Sequence, residues 1–269
     1  MQASTKGIAM LHRAQRLFGV LTIFLGIGSL AIADETATEG TVPVYELRIY
    51  TCEPGKLDAL HARFRDHTMR IFAKHGIENV AYWTPVEGPT SENTLVYLLK
   101  HKSRDAARAS WDAFRNDPEW KDVAAASRKA HGKILAKAPE ATYLELTDYS
   151  PAVGAPDAEK VFELRTYTSP EGKLSELHDR FRKYTDDLFQ KHGMTSYGYW
   201  APTDPPASGN VMIYLLEHSS RDAARDSWKA FLSDPEWKEV ARKTQENGPL
   251  LSKRPDAVFL KLTDYSPRR

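Results

Sequence analysis

A chain of 269 residues is too long for one small domain and points to one large domain or two small ones. Hydrophobic residues at 41% and charged residues at 27% match ordinary globular usage, which excludes disorder, collagen and coiled coil for the bulk. Lysine and arginine number 37 against 36 aspartate and glutamate, so no single-sign field points to nucleic acid, and the lone Cys52 excludes an intrachain disulfide, a CxxC pair or a Cys-rich zinc site.

Met1–Arg16 is polar and basic, Leu17–Leu30 (LFGVLTIFLGIGSL) is uncharged and apolar, and Ala31-Ile32-Ala33 supplies small residues. This is the pattern of a secretory signal peptide over residues 1–33, predicting cleavage near Ala33, a mature start near Asp34, and export to the periplasm or the extracellular space. The competing reading is a retained membrane anchor, the only membrane contact expected. An h-region of 14 residues covers only about 21 Å, short of a bilayer core of about 30 Å, which favours cleavage. Residues 34–43, small, polar and acidic, read as a flexible leader.

Val44–Thr51 is β-branched and aromatic and stops at Pro54-Gly55, the signature of a strand. Leu57, Leu60, Phe64, Thr68, Ile71 and Phe72 follow helical spacing, and Gly76 stands where a left-handed residue ends a helix. Val80–Thr84 and Thr94–His101 read as strands joined by a Pro/Gly loop. Ser103 is an N-cap for a helix through Phe114, and Asp117 caps a second helix with Pro118 at its first position. Thr142–Thr147 is the last strand. The order βαββαβ is the ferredoxin-like split unit.

The unit is then written again. YELRIYT at Tyr45–Thr51 returns as FELRTYT at Phe162–Thr168, GKLDALHARFRDHT as GKLSELHDRFRKYT, and RDAARASWDAF as RDAARDSWKAF. DPEW occurs at Asp117–Trp120 and Asp234–Trp237, and LTDYSP closes each copy at Leu146–Pro151 and Leu262–Pro267. Two domains follow, 44–151 and 161–269, joined by a linker at 152–160. So long a period means a duplicated domain, not a solenoid. In Thr94–His101, Val96 and Leu98 share one face and Leu95, Tyr97 and Leu99 the other; Ile213 and Leu215 oppose Met212, Tyr214 and Leu216 in the copy. Strands apolar on both faces need cover on both sides. Helices supply one cover and the sister sheet the other. The expected fold is therefore α+β: two ferredoxin-like units packed sheet to sheet as a pseudo-twofold barrel with helices outside.

Tyr45-Glu46-Leu47-Arg48 with Tyr50-Thr51, the GKL–His–RF helix, YWTP at Tyr82–Pro85, and DPEW together resemble the NIPSNAP family across both halves, from Val44 to Pro267. The resemblance implies the dimeric α/β-barrel superfamily, in which two such units normally come from two chains; here both come from one. Family members are linked to vesicle trafficking and mitochondrial surface signalling, and the resemblance implies no reaction. A secreted tandem form departs from that setting, so those roles are not carried over.

Glu46, Arg48 and Tyr50 share one strand face, repeated by Glu163, Arg165 and Tyr167. Either each trio grips a ligand carboxylate or carbonyl, or Glu and Arg form an ion pair fixing the register between halves. His61 and His178 fall on apolar helix stripes, as general bases or cofactor ligands on one reading and hydrogen-bonded packing residues on the other. His61, His178, Tyr50 and Tyr167 are thus the catalytic candidates. Glu46, Arg48, Glu163 and Arg165 are the ligand-binding candidates, with Trp83, Trp200, Trp120 and Trp237 as core residues or pocket walls. His75 and His192 suit helix C-termini, and His101 and His218, ending strands beside turns, are expected at the surface. Cys52 corresponds to Ser169, which argues against a symmetric thiol mechanism. No HxxxH, HExxH, GxSxG, P-loop or GxGxxG occurs, so no metal, hydrolase or nucleotide motif is expected. The expectation is a secreted accessory module binding a small apolar molecule or a protein, without cofactor, with further homo-oligomerisation open. The alternative is a cofactor-independent or haem-using oxygenase or isomerase of the same superfamily.

Overall fold

The computed structural model describes residues 42–269, so the signal segment and most of the leader lie outside the described residues. The first half runs β1 (Val44–Thr51), α1 (Leu57–Arg63), a π turn (Phe64–Thr68), α2 (Met69–Lys74), β2 (Glu78–Pro85), β3 (Thr94–His101), α3 (Arg104–Asn116), α4 (Pro118–His131) and β4 (Glu140–Leu146). The second runs β5 (Val161–Thr168), α5 (Leu174–Arg180), a π turn (Phe181–Thr185), α6 (Asp186–Lys191), β6 (Thr195–Pro202), β7 (Val211–His218), α7 (Arg221–Ser233), α8 (Pro235–Thr244) and β8 (Asp256–Leu262). Among the described residues no helix is long and apolar enough to cross a membrane.

The punctuation residues act as expected. Ser103 Oγ accepts from the Ala106 N–H at 3.1 Å, Asp117 accepts from the Glu119 N–H at 2.8 Å, and Gly76 ends α2 at φ 75°. The helix expected as one regular run from Leu57 is interrupted. Five residues form a π turn in each half, so one extra residue is accommodated before the helix resumes. The hydroxyls of Thr68 and Thr185 donate to the carbonyls of Arg63 and Arg180 at 3.0 and 3.2 Å, five residues back.

The eight strands are antiparallel and form one closed barrel, in the order β1-β3-β2-β8-β5-β7-β6-β4. The halves are therefore not merely stacked. β2 pairs with β8 from Trp83 opposite Leu262, and β4 pairs with β6 from Leu144 opposite Pro202. Closure removes the unpaired N–H and C=O rows that each isolated sheet would leave on its edges. Tyr45, Leu47, Trp83, Val96 and Leu98 fill the interior against Phe162, Leu164, Trp200, Ile213 and Leu215. Strand alternation sends Tyr82, Leu95, Tyr97 and Leu99 outward onto Leu60, Phe64, Ile71, Phe72 and Trp111, and the second half repeats that layer. Each LTDYSP tail crosses to the other half: Ser266 Oγ accepts from the Tyr82 N–H at 2.9 Å, and Ser150 Oγ from the Tyr199 N–H at 3.0 Å.

Candidate functional site

Because Tyr45 and Leu47 face the barrel interior, Glu46, Arg48 and Tyr50 point into the layer between sheet and helices. Glu46 is buried. Its carboxylate accepts from Arg48 Nη1, from Trp111 Nε1 at 2.7 Å and from His101 Nε2 at 3.0 Å. Glu163 repeats the set with Arg165 at 2.5 Å, Trp228 at 2.7 Å and His218 at 3.0 Å. Burial alone would raise both carboxyls; the histidine hydrogen bonds, the arginine charges and the indole N–H groups outweigh it and hold both below the usual glutamate value.

Two expectations are corrected here. The ion pair joins residues two apart on one strand, with its other partners in the same half, so it ties β1 to β3 and α3 and does not set register between halves. His101 and His218 are buried, not at the surface. Their rings lie beside Tyr143 and Phe259, and each is drawn inward by the carboxylate it satisfies.

His61 Nδ1 is hydrogen-bonded to the Tyr265 hydroxyl at 2.7 Å, and His178 Nδ1 to that of Tyr149 at 2.7 Å. Each pair joins a helix of one half to the tail of the other. Burial lowers both imidazoles, favouring the neutral ring. His61 also borders a polar pocket of about 290 Å³ with Asp58, Arg65, Thr84, Thr263 and Asp264. His75 reaches beyond its own helix end: its Nε2 lies 2.6 Å from Asp117, the N-cap of α4, and Lys74 Nζ lies 2.7 Å from the same carboxylate. Trp83 and Trp200 are wholly buried inside the barrel, as core residues. Tyr50 and Tyr167 accept from Arg48 and Arg165 at 3.3 and 3.5 Å. Among the described residues no three His, Cys, Asp or Glu side chains converge on a metal position.

The residue missed in the sequence is Arg180. It is 5% exposed, its Nε has no hydrogen-bond partner, and no carboxylate pairs with it among the described residues. Burial pulls its guanidinium below the ordinary arginine value. Its Cζ lies 5.2 Å from the ring centre of Trp237. Arg180 and Arg165 border a cavity of about 520 Å³ between β5, the π turn, α7 and α8, walled by Tyr167, Phe181, Phe189, Trp228, Phe231 and Trp237, with Arg254 also on its lining. The signal for Arg180 was present: Leu174, Leu177 and Arg180 stand at i, i+3, i+6, a cation on a core-facing stripe, as do Leu57, Leu60 and Arg63. In the first half Arg63 is half-buried, 5.7 Å from Trp120, and borders a different groove of about 500 Å³ between α1 and α4. The cavity brings together Arg165, Tyr167 and Trp237 of the expected set; His178, Trp83 and Trp200 lie elsewhere.

Solved structures share the architecture. An anthrone oxidase-like protein superposes with a TM-score of 0.55 at 13% identity, covering 82% of this chain and 91% of its own. A proposed monooxygenase from Fusobacterium nucleatum gives 0.52 at 11% identity, covering 85% and 95%, and one from Lactobacillus acidophilus gives 0.52 at 12%, covering 82% and 94%. At these identities the likeness is one of fold. No curated relative matches the sequence. The NIPSNAP family profile matches twice, at residues 45–151 and 162–267, which together span most of the chain and coincide with its two βαββαβ halves; the chain belongs to the NIPSNAP family.

Proposed function

We propose that this tandem NIPSNAP chain is an exported small-molecule-binding module whose ligand occupies the helix–sheet cavity of the second half. The observation that carries the reading is the convergence of six aromatic side chains with a buried, acid-free Arg180 around about 520 Å³ of space. Binding sites are commonly concave, mostly apolar and few per protein, with a small number of placed polar groups. The charge of Arg165 is neutralised by Glu163 and that pair serves the wall; Arg180, with no carboxylate partner among the described residues, is the donor left for a ligand. The basic and apolar N-terminal segment supports action outside the cytoplasm after cleavage near Ala33.

The test is native mass spectrometry of the purified full chain, beside quenching of tryptophan fluorescence by a panel of naphthalene derivatives. Ala241 borders the cavity, and Ala241→Trp is expected to fill it, leaving the barrel folded and abolishing uptake. Uptake unaltered by Ala241→Trp, or no probe bound at all, overturns the reading. The names of the three fold neighbours support a second reading, oxygenation of an aromatic substrate in the same cavity. An oxygen electrode with anthrone as the probe tests it: consumption lost in Ala241→Trp supports it, and no consumption above buffer removes it.

A further inference from the structure

The lining of the second-half cavity carries three arginines and no aspartate or glutamate. Arg165 is neutralised by Glu163 at 2.5 Å. Arg180 and Arg254 have no carboxylate partner among the described residues, the first buried and the second exposed. A buried guanidinium without a counter-charge is costly to hold, and folded proteins rarely keep one unless something else neutralises it. Among the described residues no carboxylate does so for Arg180. The rest of the wall is aromatic, with Trp237 5.2 Å from the Arg180 Cζ and Trp228 4.2 Å from that of Arg165.

Resting on the cavity reading above, we infer that the ligand is a monoanionic carboxylate on a flat apolar body, its carboxylate held by Arg180 with Arg254 as a second cation further out. A guanidinium offers a planar fork matched to a carboxylate, and the aromatic walls take the body. One buried free cation suits one negative charge better than a dianionic phosphate. The two halves differ where this matters. Aligned on the LTDYSP tails, Ala138 stands in the first half where Arg254 stands in the second; aligned on the DPEW helices, Arg128 stands where Gln245 stands. Asp66 and Asp122, moreover, border the groove beside Arg63. The site is therefore single, one per chain.

Calorimetric titration of the full chain with 2-naphthoate, 2-naphthalenemethanol and 2-naphthyl phosphate tests this. The expected result is 2-naphthoate binding at one site per chain, tighter than the alcohol by about tenfold or more, the scale of a charge-assisted pair. Arg180→Gln erases that preference while leaving alcohol binding in place, Arg180→Lys restores part of it, and Arg254→Ala lowers it by about threefold. Arg63→Gln leaves it unchanged. Loss of an unpaired buried cation is also expected to leave the melting temperature unchanged or raised, which a structural arginine would not do. Equal binding of acid and alcohol in wild type and Arg180→Gln overturns the carboxylate assignment and leaves the cavity reading standing. Tighter binding of the phosphate, or two sites per chain, overturns it too. No binding of any probe removes both. Should Arg180→Gln not fold, the wild-type preference and the exposed Arg254→Ala variant decide.

Discussion

Glu46 shows how one buried carboxylate can organise a strand, a helix and a second strand. It is engaged by a guanidinium, an indole N–H and an imidazole, and its removal leaves all three donors facing low-dielectric surroundings. Glu46→Gln keeps the volume and breaks the charge pairing, so it is expected to destabilise the chain by about 3–5 kcal/mol, read by thermal unfolding. The pH dependence follows from direction. Both Glu46 and Glu163 are held below their ordinary value in the fold, so the unfolded chain binds protons first as pH falls. Their stabilisation is fully present above the unfolded value of about 4.3 and is lost as pH falls toward the lower folded values. Melting curves from pH 6 to pH 3 should therefore show a shallower decline in Glu46→Gln than in wild type; equal slopes would mean that the carboxylate is not held low. The alternation that put Glu46, Arg48 and Tyr50 on one face was legible, because period two is a property of any strand. The partners were not. His101 and Trp111 lie 55 and 65 positions away, and only the tertiary fold brings them to Glu46. Arg180 was overlooked for a different reason: its place on the Leu174–Leu177 stripe was visible, but a cation on such a stripe ordinarily extends its charge to water.

At the level of single elements, the caps were legible because Ser103, Asp117 and Gly76 act within their own turns. The π turns were not. A run of apolar residues at steps of three and four tolerates one extra residue without losing its stripe, and the irregularity becomes visible only in the hydrogen bonding. β6 carries another local demand. A Cβ placed on Gly198 would lie 2.5 and 2.7 Å from ring carbons of Trp200, which fills the barrel interior and cannot swing aside. Its counterpart Ala81 has room for the methyl group. Gly198→Ala is therefore expected to cost about 1–3 kcal/mol through overpacking, with the loss read by chemical denaturation. If the loss is recovered in Gly198→Ala/Trp200→Phe, the clash is its cause; an undiminished loss in the double variant would place the cause elsewhere.

For the whole molecule, duplication and two-sided apolar strands were enough to require a sister sheet, and the halves do share one interior. Closure of the barrel by edge pairing was not readable, because each junction rests on three paired residues whose register no motif records. The crossed tails were equally hidden: LTDYSP is written at the end of each half, yet Tyr265 is hydrogen-bonded to His61 and Tyr149 to His178, each in the other half. These features decide what an isolated half can do. Expressed as Val44–Pro151, the first half would expose Tyr45, Leu47, Trp83, Val96 and Leu98 on one sheet face, and leave β2 and β4 as open edges. Its tail would have no second half to lock onto. Apolar area of that kind, bounded by unpaired strand edges, drives association. Since the two halves are near copies, a second molecule of the same fragment can supply the missing face, the missing edges and a receiving helix for Tyr149. Sedimentation velocity of the fragment is expected to show a dimer with the tail engaged or, where pairing fails, aggregate. Removing residues 147–151 should shift it further toward aggregate by deleting the crossing contact. A monodisperse, folded monomer would contradict the shared interior, because no monomeric arrangement of these strands can cover both of their apolar faces.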